Sequence, residues 1–236
     1  MKLRVLDGPA EVALAAANRL LERAQARPEL LLALPTGRTP LPLYDELARR
    51  AAARPSGLER ARGFNLDELA LPPDDPRSFA SYMRQHVWGR TGLEGSRFQI
   101  PRGDAPDLAA ECRRFDQVLA DAGPLDLAVL GVGADGHVAY NLPGQVAEST
   151  HLVSLPDHEA EAQGVPAAAR PLRAVTMGLG PLRRARAILM LACGGSKAEA
   201  VRVLVQGPVS DQWPCSQLRE HPDFELLLDP AAAAKL

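Results

Sequence analysis

The chain has 236 residues, of which 46% are hydrophobic, and a formal net charge of -2. This composition is typical of a folded domain and excludes global disorder. It lacks the basic excess of a nucleic-acid-binding domain, and no run approaches the ~20 apolar residues that span a bilayer. Asp7 and Glu11 interrupt the N-terminal segment, so no signal peptide is predicted. We expect one domain over residues 1–236, located in the cytoplasm, with neither nucleic acid nor membrane as a partner.

Cysteine and histidine patterns give no sign of a disulfide framework or a metal site. The three cysteines show no CxxC spacing, and the five histidines show no HxxH or HExxH pattern. An odd number of unpatterned cysteines suits a reducing compartment, and a zinc site needs closely spaced ligands. We therefore expect no metal.

Helices and strands alternate along the chain. Residues 9–26 repeat apolar positions at helical spacing, and residues 29–34 form the continuous apolar run of a strand buried on both faces. The same reasoning predicts helices at 41–53, 78–88, 105–121 and 196–206, and strands at 62–66, 125–132, 173–177, 186–192 and 224–228. This alternation predicts an α/β fold with a mostly parallel sheet and helices on both faces. Residues 143–172 are the least patterned, and we expect a mobile lid or a long surface loop there.

Three polar turns follow predicted strands, where open α/β sheets bind their ligands. The first turn, PTGRTP, places the hydroxyls of Thr36 and Thr39 around a sharp bend at Gly37. The N-terminus of the next helix would attract phosphate, and Arg38 would add a charged donor. The alternative is an ordinary strand-to-helix turn in which Thr39 is the N-cap residue.

The second turn contains the adjacent carboxylates of Asp67 and Glu68. A buried carboxylate beside another has a raised pKa and can act as a general base near neutral pH. In the alternative, Asp67 caps a helix and Glu68 is solvated, and the turn taken alone favours this second interpretation.

The third turn, GVGADGH, holds three glycines within six residues, which indicates tight backbone turns at a ligand. Asp135 can orient His137 for proton transfer. The alternative is an Asx turn with a histidine bonded to backbone. After another predicted strand, Lys197 opens a helix, where it would serve either as a point-charge partner for phosphate or as a solvated lysine.

Five segments in the same order and spacing resemble those of glucosamine-6-phosphate deaminases: PTGRTP, FNLDE, GVGADGHVAYNLP, GGSKAEAV and WPCSQLREHP. The likeness runs from about residue 29 to the C-terminus, and the related 6-phosphogluconolactonases share the fold. The resemblance implies a Rossmann-like three-layer sandwich, no metal or organic cofactor, and a small phosphorylated sugar as substrate. The PTGxTP, FNxDE and C-terminal WPCSQLREHP patterns are similar to those of deaminases, whereas lactonases read SGGxTP.

The resemblance also implies residue roles. Asp67 matches the base that moves a proton between C2 and C1 of the open-chain sugar. His137 and Asp135 match the pair that opens the pyranose ring. Residues 36–39 match the phosphate loop, and Lys197 matches the phosphate lysine.

Two positions depart from the deaminase pattern. The family's DGHxAFNEP has a glutamate where this chain has Leu142, and the following Pro-Gly is closer to the lactonase pattern DGHTASLFPG. An arginine that deaminases place on phosphate has no clean match before residues 173–177. Arg38, at a position that is usually glycine in the family, is our candidate for that missing charge.

Three functions therefore stay open. The first is an aldose–ketose isomerase and deaminase that converts glucosamine 6-phosphate, or a close relative such as the galactosamine isomer, into a ketose phosphate and ammonia. The second is a lactonase in which His137 activates water. The third is a non-catalytic sugar-phosphate-binding module, which Leu142 favours. Retention of Asp67, Asp135 and His137 argues against the third, because a pure binder has no evident need for the full proton-transfer set. Family members include monomers and hexamers, so the oligomeric state is open.

Overall fold

The structure is a computed structural model that describes residues 1–236. The strands are β1 (Lys2–Val5), β2 (Leu31–Leu34), β3 (Arg62–Asn65), β4 (Asp67–Leu69), β5 (Phe98–Gln99), β6 (Leu127–Gly131), β7 (His151–Ser154), β8 (Arg173–Thr176), β9 (Ile188–Ala192) and β10 (Phe224–Leu228). The helices are α1 (Pro9–Ala26), α2 (Leu41–Ala53), α3 (Phe79–His86), α4 (Leu108–Ala122), α5 (Asp157–Ala162), α6 (Leu179–Arg183) and α7 (Ala198–Gln206).

Seven strands form the central sheet, in the order β1-β10-β9-β6-β2-β3-β5, and all of its pairings are parallel. Successive side chains of a strand point to opposite faces. Leu32 and Leu34 of β2 therefore join a core with α1, α2 and α3, whereas Leu31 and Ala33 join a second core with α4, α6 and α7. The predicted α/β fold, with helices on both faces of a mostly parallel sheet in three layers, is confirmed.

A second, smaller sheet has the antiparallel order β4-β8-β7. It starts where the chain leaves β3 at Leu66 and pairs β4 with β8, with Asp67 opposite Thr176. The second polar turn expected after residues 62–66 is therefore largely a strand. The backbone hydrogen bonds between β4 and β8 therefore orient the side chains of β4 more firmly than a loop would.

Residues 143–172 contain more regular structure than the sequence indicates. They include β7 and α5, so the expectation of an unstructured loop is wrong for these parts. The strand escapes notice because it has only four residues with a mixed burial pattern. The helix escapes because its six residues are too few to display a 3.6-residue period.

The three cysteines are free thiols. None of the helices combines the length and the apolar character needed to cross a membrane.

Candidate active site

A cleft of about 710 Å³ opens at the carboxyl ends of β2, β6 and β9. This is the edge at which parallel α/β sheets bind ligands, because the strand-to-helix turns meet there. Seven of the eight residues predicted for the site line this cleft: Thr36, Gly37, Arg38, Thr39, Asp67, His137 and Lys197. The eighth, Asp135, is not part of the lining and contacts His137 instead.

We call residues 35–40 the anion loop. Two of its carbonyl groups accept hydrogen bonds from tyrosine hydroxyls. The hydroxyl of Tyr44 donates to the Pro35 carbonyl at 2.6 Å, and that of Tyr82 donates to the Gly37 carbonyl at 2.8 Å. No backbone N–H of residues 36–39 donates to a protein acceptor. These N–H groups are therefore free for an anion, as at other helix N-termini that bind phosphate.

Gly37 has a φ of 100°, in the left-handed region that favours glycine. The N-cap position of α2 is Pro40, and no side chain caps it. The alternative in which Thr39 is the N-cap residue is therefore wrong. The Thr39 side chain is left for the cleft that it lines.

Two cationic side chains of the cleft, one in the anion loop and one outside it, have no acidic partner. Neither Arg38 nor Lys197 forms an ion pair, although most of the chain's other surface cations do. Burial lowers the pKa of Lys197, and Arg38 lowers it further, while Asp135 and Glu159 act in the opposite direction. Lys197 is half-buried and Arg38 is exposed, and an anion bound near both would relieve their mutual repulsion.

The turn that carries Lys197 is fixed from behind by a buried carboxylate. Both oxygens of Asp229 accept the N–H of Gly194 at 3.0 Å, and one accepts the N–H of Ala232 at 2.7 Å. Asp229 is buried at the end of β10. The backbone position from which the 3-10 turn Gly195–Lys197 starts is therefore fixed by Asp229.

Asp67 and Glu68 are both buried, and they act on different sides of β4. Asp67 lines the cleft, whereas Glu68 accepts the N–H groups of Leu69, Phe79 and Ala80 at 2.8, 2.7 and 2.8 Å. The alternative in which Asp67 caps a helix and Glu68 is solvated is therefore wrong. Glu68 is the carboxylate at the N-terminus of α3, and Asp67 is left free to face a ligand.

Burial raises the pKa of Asp67 to about 8, and the neighbouring charge of Glu68 contributes to the increase. Burial also raises the pKa of Glu68, against the three N–H groups that favour its charged form. A carboxyl group whose pKa lies near neutrality can both take up and release a proton at physiological pH. The raised pKa of Asp67 is what a proton shuttle requires.

His137 is held by its own turn. Its Nδ1 lies 2.8 Å from Oδ1 of Asp135, and the same oxygen accepts the His137 backbone N–H at 3.2 Å. Nδ1 has no partner in hydrogen-bond geometry, so the carboxylate orients the ring through a close polar contact. Burial would raise the pKa of Asp135, but the adjacent His137 ring and the His137 backbone N–H outweigh it and lower that pKa to about 2.

The backbone after His137 is strained and firmly supported. Ala139 is the only non-glycine residue with a positive φ, 52°. The amide of Asn141 donates to the carbonyls of Val138 and Met177, and the N–H of Tyr140 donates to the Thr176 hydroxyl. Strain of this kind costs roughly 1–3 kcal/mol and persists where surrounding contacts impose it. It is concentrated here at the rim of the cleft.

Leu142 takes no part in the cleft. It is buried in an apolar cluster with Leu69, Phe79, Tyr140 and Val153. The residue that departs from the deaminase pattern therefore belongs to the core beneath the small sheet.

Six cleft residues were missed: Arg77, Tyr82, Tyr140, Glu159, Gln163 and Ser196. Tyr140 and Ser196 lie within the GVGADGHVAYNLP and GGSKAEAV segments, so the sequence offered a signal for both. The other four lie on α3, on α5 or within two residues of them, where only the folded arrangement turns them towards the cleft. No group of three or more His, Cys, Asp or Glu side chains lies together in a way that could hold a metal ion.

The family described as glucosamine-6-phosphate isomerases/6-phosphogluconolactonase matches residues 7–227. The chain belongs to this family. It is 36% identical to a glucosamine-6-phosphate deaminase of Beutenbergia cavernae, over 100% of this chain and 93% of the relative. It is also 36% identical to glucosamine-6-phosphate deaminase 1 of Bacillus subtilis, over 99% of both chains.

Solved structures of the family have the same fold. A monomeric glucosamine-6-phosphate deaminase superposes with a TM-score of 0.93 at 35% identity, covering 100% of both chains. A 6-phosphogluconolactonase of Trypanosoma brucei superposes with a TM-score of 0.78 at 22% identity, covering 100% of this chain and 98% of that one. At this lower identity the lactonase shows the shared fold alone.

Proposed function

We propose that the protein is a glucosamine-6-phosphate deaminase of amino-sugar catabolism, formed by a single domain over residues 1–236 and acting in the cytoplasm. The reaction consumes glucosamine 6-phosphate and one water, and releases fructose 6-phosphate and ammonia. The observation that carries the proposal is one cleft shared by an anion loop with free N–H groups, a buried carboxyl of raised pKa and an oriented histidine.

The phosphate group of the substrate belongs at the anion loop. A sugar phosphate is largely dianionic at neutral pH, and the N–H groups of residues 36–39 with the charges of Arg38 and Lys197 meet it. The hydroxyls of Thr36 and Thr39 supply further donors. Neutral donors and two cations together suit a doubly charged group better than a carboxylate.

His137 is assigned to ring opening. The pyranose opens when a proton leaves the hydroxyl on C1 and another reaches the ring oxygen, which one imidazole can accomplish in turn. Asp135 stabilises the imidazolium form that exists between these two transfers, because it lies 2.8 Å from Nδ1.

Asp67 is assigned to the isomerisation. As a carboxylate it takes the proton from C2 of the open-chain aldehyde, and an enediol-type intermediate forms. As a carboxylic acid it returns that proton to C1, while one proton of the amino group passes to O1, which leaves a hydroxymethyl group at C1 and an imine at C2. Water adds to C2, and its two protons pass to the nitrogen as ammonia departs, which leaves the ketone. The pKa of about 8 keeps both protonation states accessible.

The test supplies glucosamine 6-phosphate, galactosamine 6-phosphate and 6-phosphogluconolactone separately and measures ammonia, ketose phosphate and lactone hydrolysis. We expect ammonia and fructose 6-phosphate in equal amounts from the first sugar. Asp67→Asn should abolish turnover and largely spare binding, whereas Asp121→Asn, an exposed carboxylate on α4, should remain active. Lactone hydrolysis without ammonia, binding without turnover, or a fully active Asp67→Asn enzyme would each contradict the proposal.

A further inference from the structure

Helix α3 joins the two halves of the candidate site, although no motif residue lies on it. Its first turn is attached to β4 by Glu68, whose carboxylate accepts the N–H groups of Phe79 and Ala80 at 2.7 and 2.8 Å. Glu68 also accepts the N–H of Leu69 at 2.8 Å. A buried carboxylate with three backbone donors is a strong anchor, because each charged bond is formed away from water.

One turn further along the same helix, Tyr82 contacts the other half of the site. Its hydroxyl donates to the Gly37 carbonyl at 2.8 Å, and its ring packs edge-on against Tyr44 with centroids 6.4 Å apart. Gly37 is the residue at which the anion loop bends, with a φ of 100°. Tyr82 therefore holds the bend through a carbonyl oxygen and leaves the loop's N–H groups free.

We propose that the first turn of α3 is a rigid spacer that sets the distance between Asp67 and the anion loop. The positioning residues are Glu68, which is bonded to the start of that turn, and Tyr82, which contacts the loop from its end. The inference rests on the proposed function in one respect, since the reacting carbons and the phosphate are at opposite ends of that sugar. A displacement of about 1 Å between a catalytic group and its substrate can reduce the rate by about 100-fold. A helical turn that is bonded to both parts of the site resists such a displacement better than two separate loops would.

Glu68 adds an electrostatic effect to its anchoring. Asp67 is its direct neighbour in β4, and the charge of Glu68 raises the pKa of the Asp67 carboxyl. The charged groups that face Glu68 from the adjacent elements are Asp67 itself and Arg84 of α3, which favours its ionised form. The same carboxylate thus fixes the helix and tunes the group that transfers the proton.

The first test is Tyr82→Phe, which keeps the ring and removes only the hydroxyl. We expect the affinity for inorganic phosphate to fall about threefold or more, which corresponds to the loss of a partly exposed hydrogen bond. The KM for glucosamine 6-phosphate should rise by a similar factor while the pH profile of kcat stays unchanged. Gln85→Ala, an exposed side chain on the same helix, is the matched control and should alter neither quantity.

The second test is Glu68→Gln, which keeps the shape and removes the charge. The acid limb of the kcat/KM profile should move to lower pH, because Asp67 loses its like-charged neighbour, and kcat should fall. A merely structural role would lower the thermal midpoint without moving that limb. The double variant Glu68→Gln/Tyr82→Phe should lose less activity than the product of the two single losses, since both act through one helix.

The outcomes separate this inference from the proposed function. If the wild-type enzyme releases no ammonia, the proposed function fails, and the phosphate affinity of Tyr82→Phe still tests whether α3 positions the anion loop. An unchanged phosphate affinity in Tyr82→Phe contradicts that role of α3, whatever the substrate is. An unmoved acid limb in an active, folded Glu68→Gln enzyme overturns the part assigned to Glu68.

Discussion

The Nδ1 atom of His137 and the Oδ1 atom of Asp135 lie 2.8 Å apart on a single tight turn. The carboxylate is two residues before the ring that it orients, so the pair needs no distant element to assemble. Substitution Asp135→Asn keeps the size and removes the charge that stabilises the imidazolium. We expect kcat for ring-closed substrate to fall on the order of 100-fold, the scale of one lost acid–base contribution. Steady-state kinetics checks this, and a loss below threefold would contradict the role given to Asp135.

Gly133 is required by the same pair. A Cβ at this position would lie 2.3 Å from His137 Nδ1 and 2.5 Å from Asp135 Oδ1, well inside contact distance. Gly133→Ala should therefore displace the ring and reduce kcat at least as much as Asp135→Asn. The next residue, Ala134, is exposed, and Ala134→Ser should leave kcat within about twofold. Equal activity in both variants would show that the turn tolerates displacement.

The buried Asp67 should make stability depend on pH. Its pKa is raised to about 8 in the fold from an ordinary 3.8, so the folded chain holds this proton more tightly than the unfolded chain. Below pH 3.8 the group is protonated in both states and its contribution is fully present. As pH rises to about 8 that contribution is lost.

Asp67→Asn cannot ionise, so the free energy of unfolding of this variant should exceed that of the wild type at pH 9, and the difference should vanish near pH 4. Urea unfolding at both pH values measures it. A difference that is independent of pH would contradict the raised pKa. Because turnover is expected to disappear in the same variant, a more stable but inactive protein is the predicted combination.

Phosphate affinity should depend on the two unpaired cations to different degrees. Lys197 is half-buried and Arg38 is exposed. Lys197→Gln should therefore raise KM on the order of 10-fold, and Arg38→Gln by a smaller factor, with both effects shrinking at high salt. Arg54→Gln, an exposed arginine at the end of α2, is the control. An unchanged KM in the Arg38 variant would show that Arg38 does not replace the phosphate-binding arginine of the deaminases.

Leu142 should tolerate size changes and reject charge. It is 2% exposed within an apolar cluster, where an ionised side chain would have no partner. Leu142→Glu should destabilise the fold by about 3 kcal/mol or more, and Leu142→Met by less than about 1.5 kcal/mol. Denaturant unfolding distinguishes the two. A stable and faster Leu142→Glu enzyme would show instead that the position can serve the site.

Two of the three longest helices could be predicted from the sequence to the residue, whereas α4 begins three residues and ends one residue later than predicted. The bounds of α1 and α2 agree with prediction, because each repeats its apolar face over at least three turns. The buried strands β2, β6 and β9 are each two residues shorter at the start than predicted, since apolar content does not mark where a ladder begins. Strand β1 was missed because its four residues, although they alternate polar and apolar side chains, are too few to identify a strand and are all exposed.

The site residues that could be predicted are the chemically reactive or charged residues that directly follow predicted strands. Asp67, His137 and Lys197 could be placed together because parallel strands deliver their carboxyl ends to one edge. The donors to Glu68 on α3 could not be predicted, because they are 11 and 12 residues away and are brought near by the return of the chain between β4 and α3. Tyr82 escaped for a similar reason, since its acceptor is 45 residues distant.

The pairing of β1 with β10 determines when the sheet can be completed. Lys2 is opposite Glu225 and Val5 is opposite Leu228, so the first strand of the chain has its only partner in the last. Contacts between residues this far apart in sequence form slowly, because a long stretch of chain must be ordered first. Strand β1 therefore has no strand partner until β10 has been synthesised, whereas β2, β3 and β6 pair among themselves and need no later strand to do so.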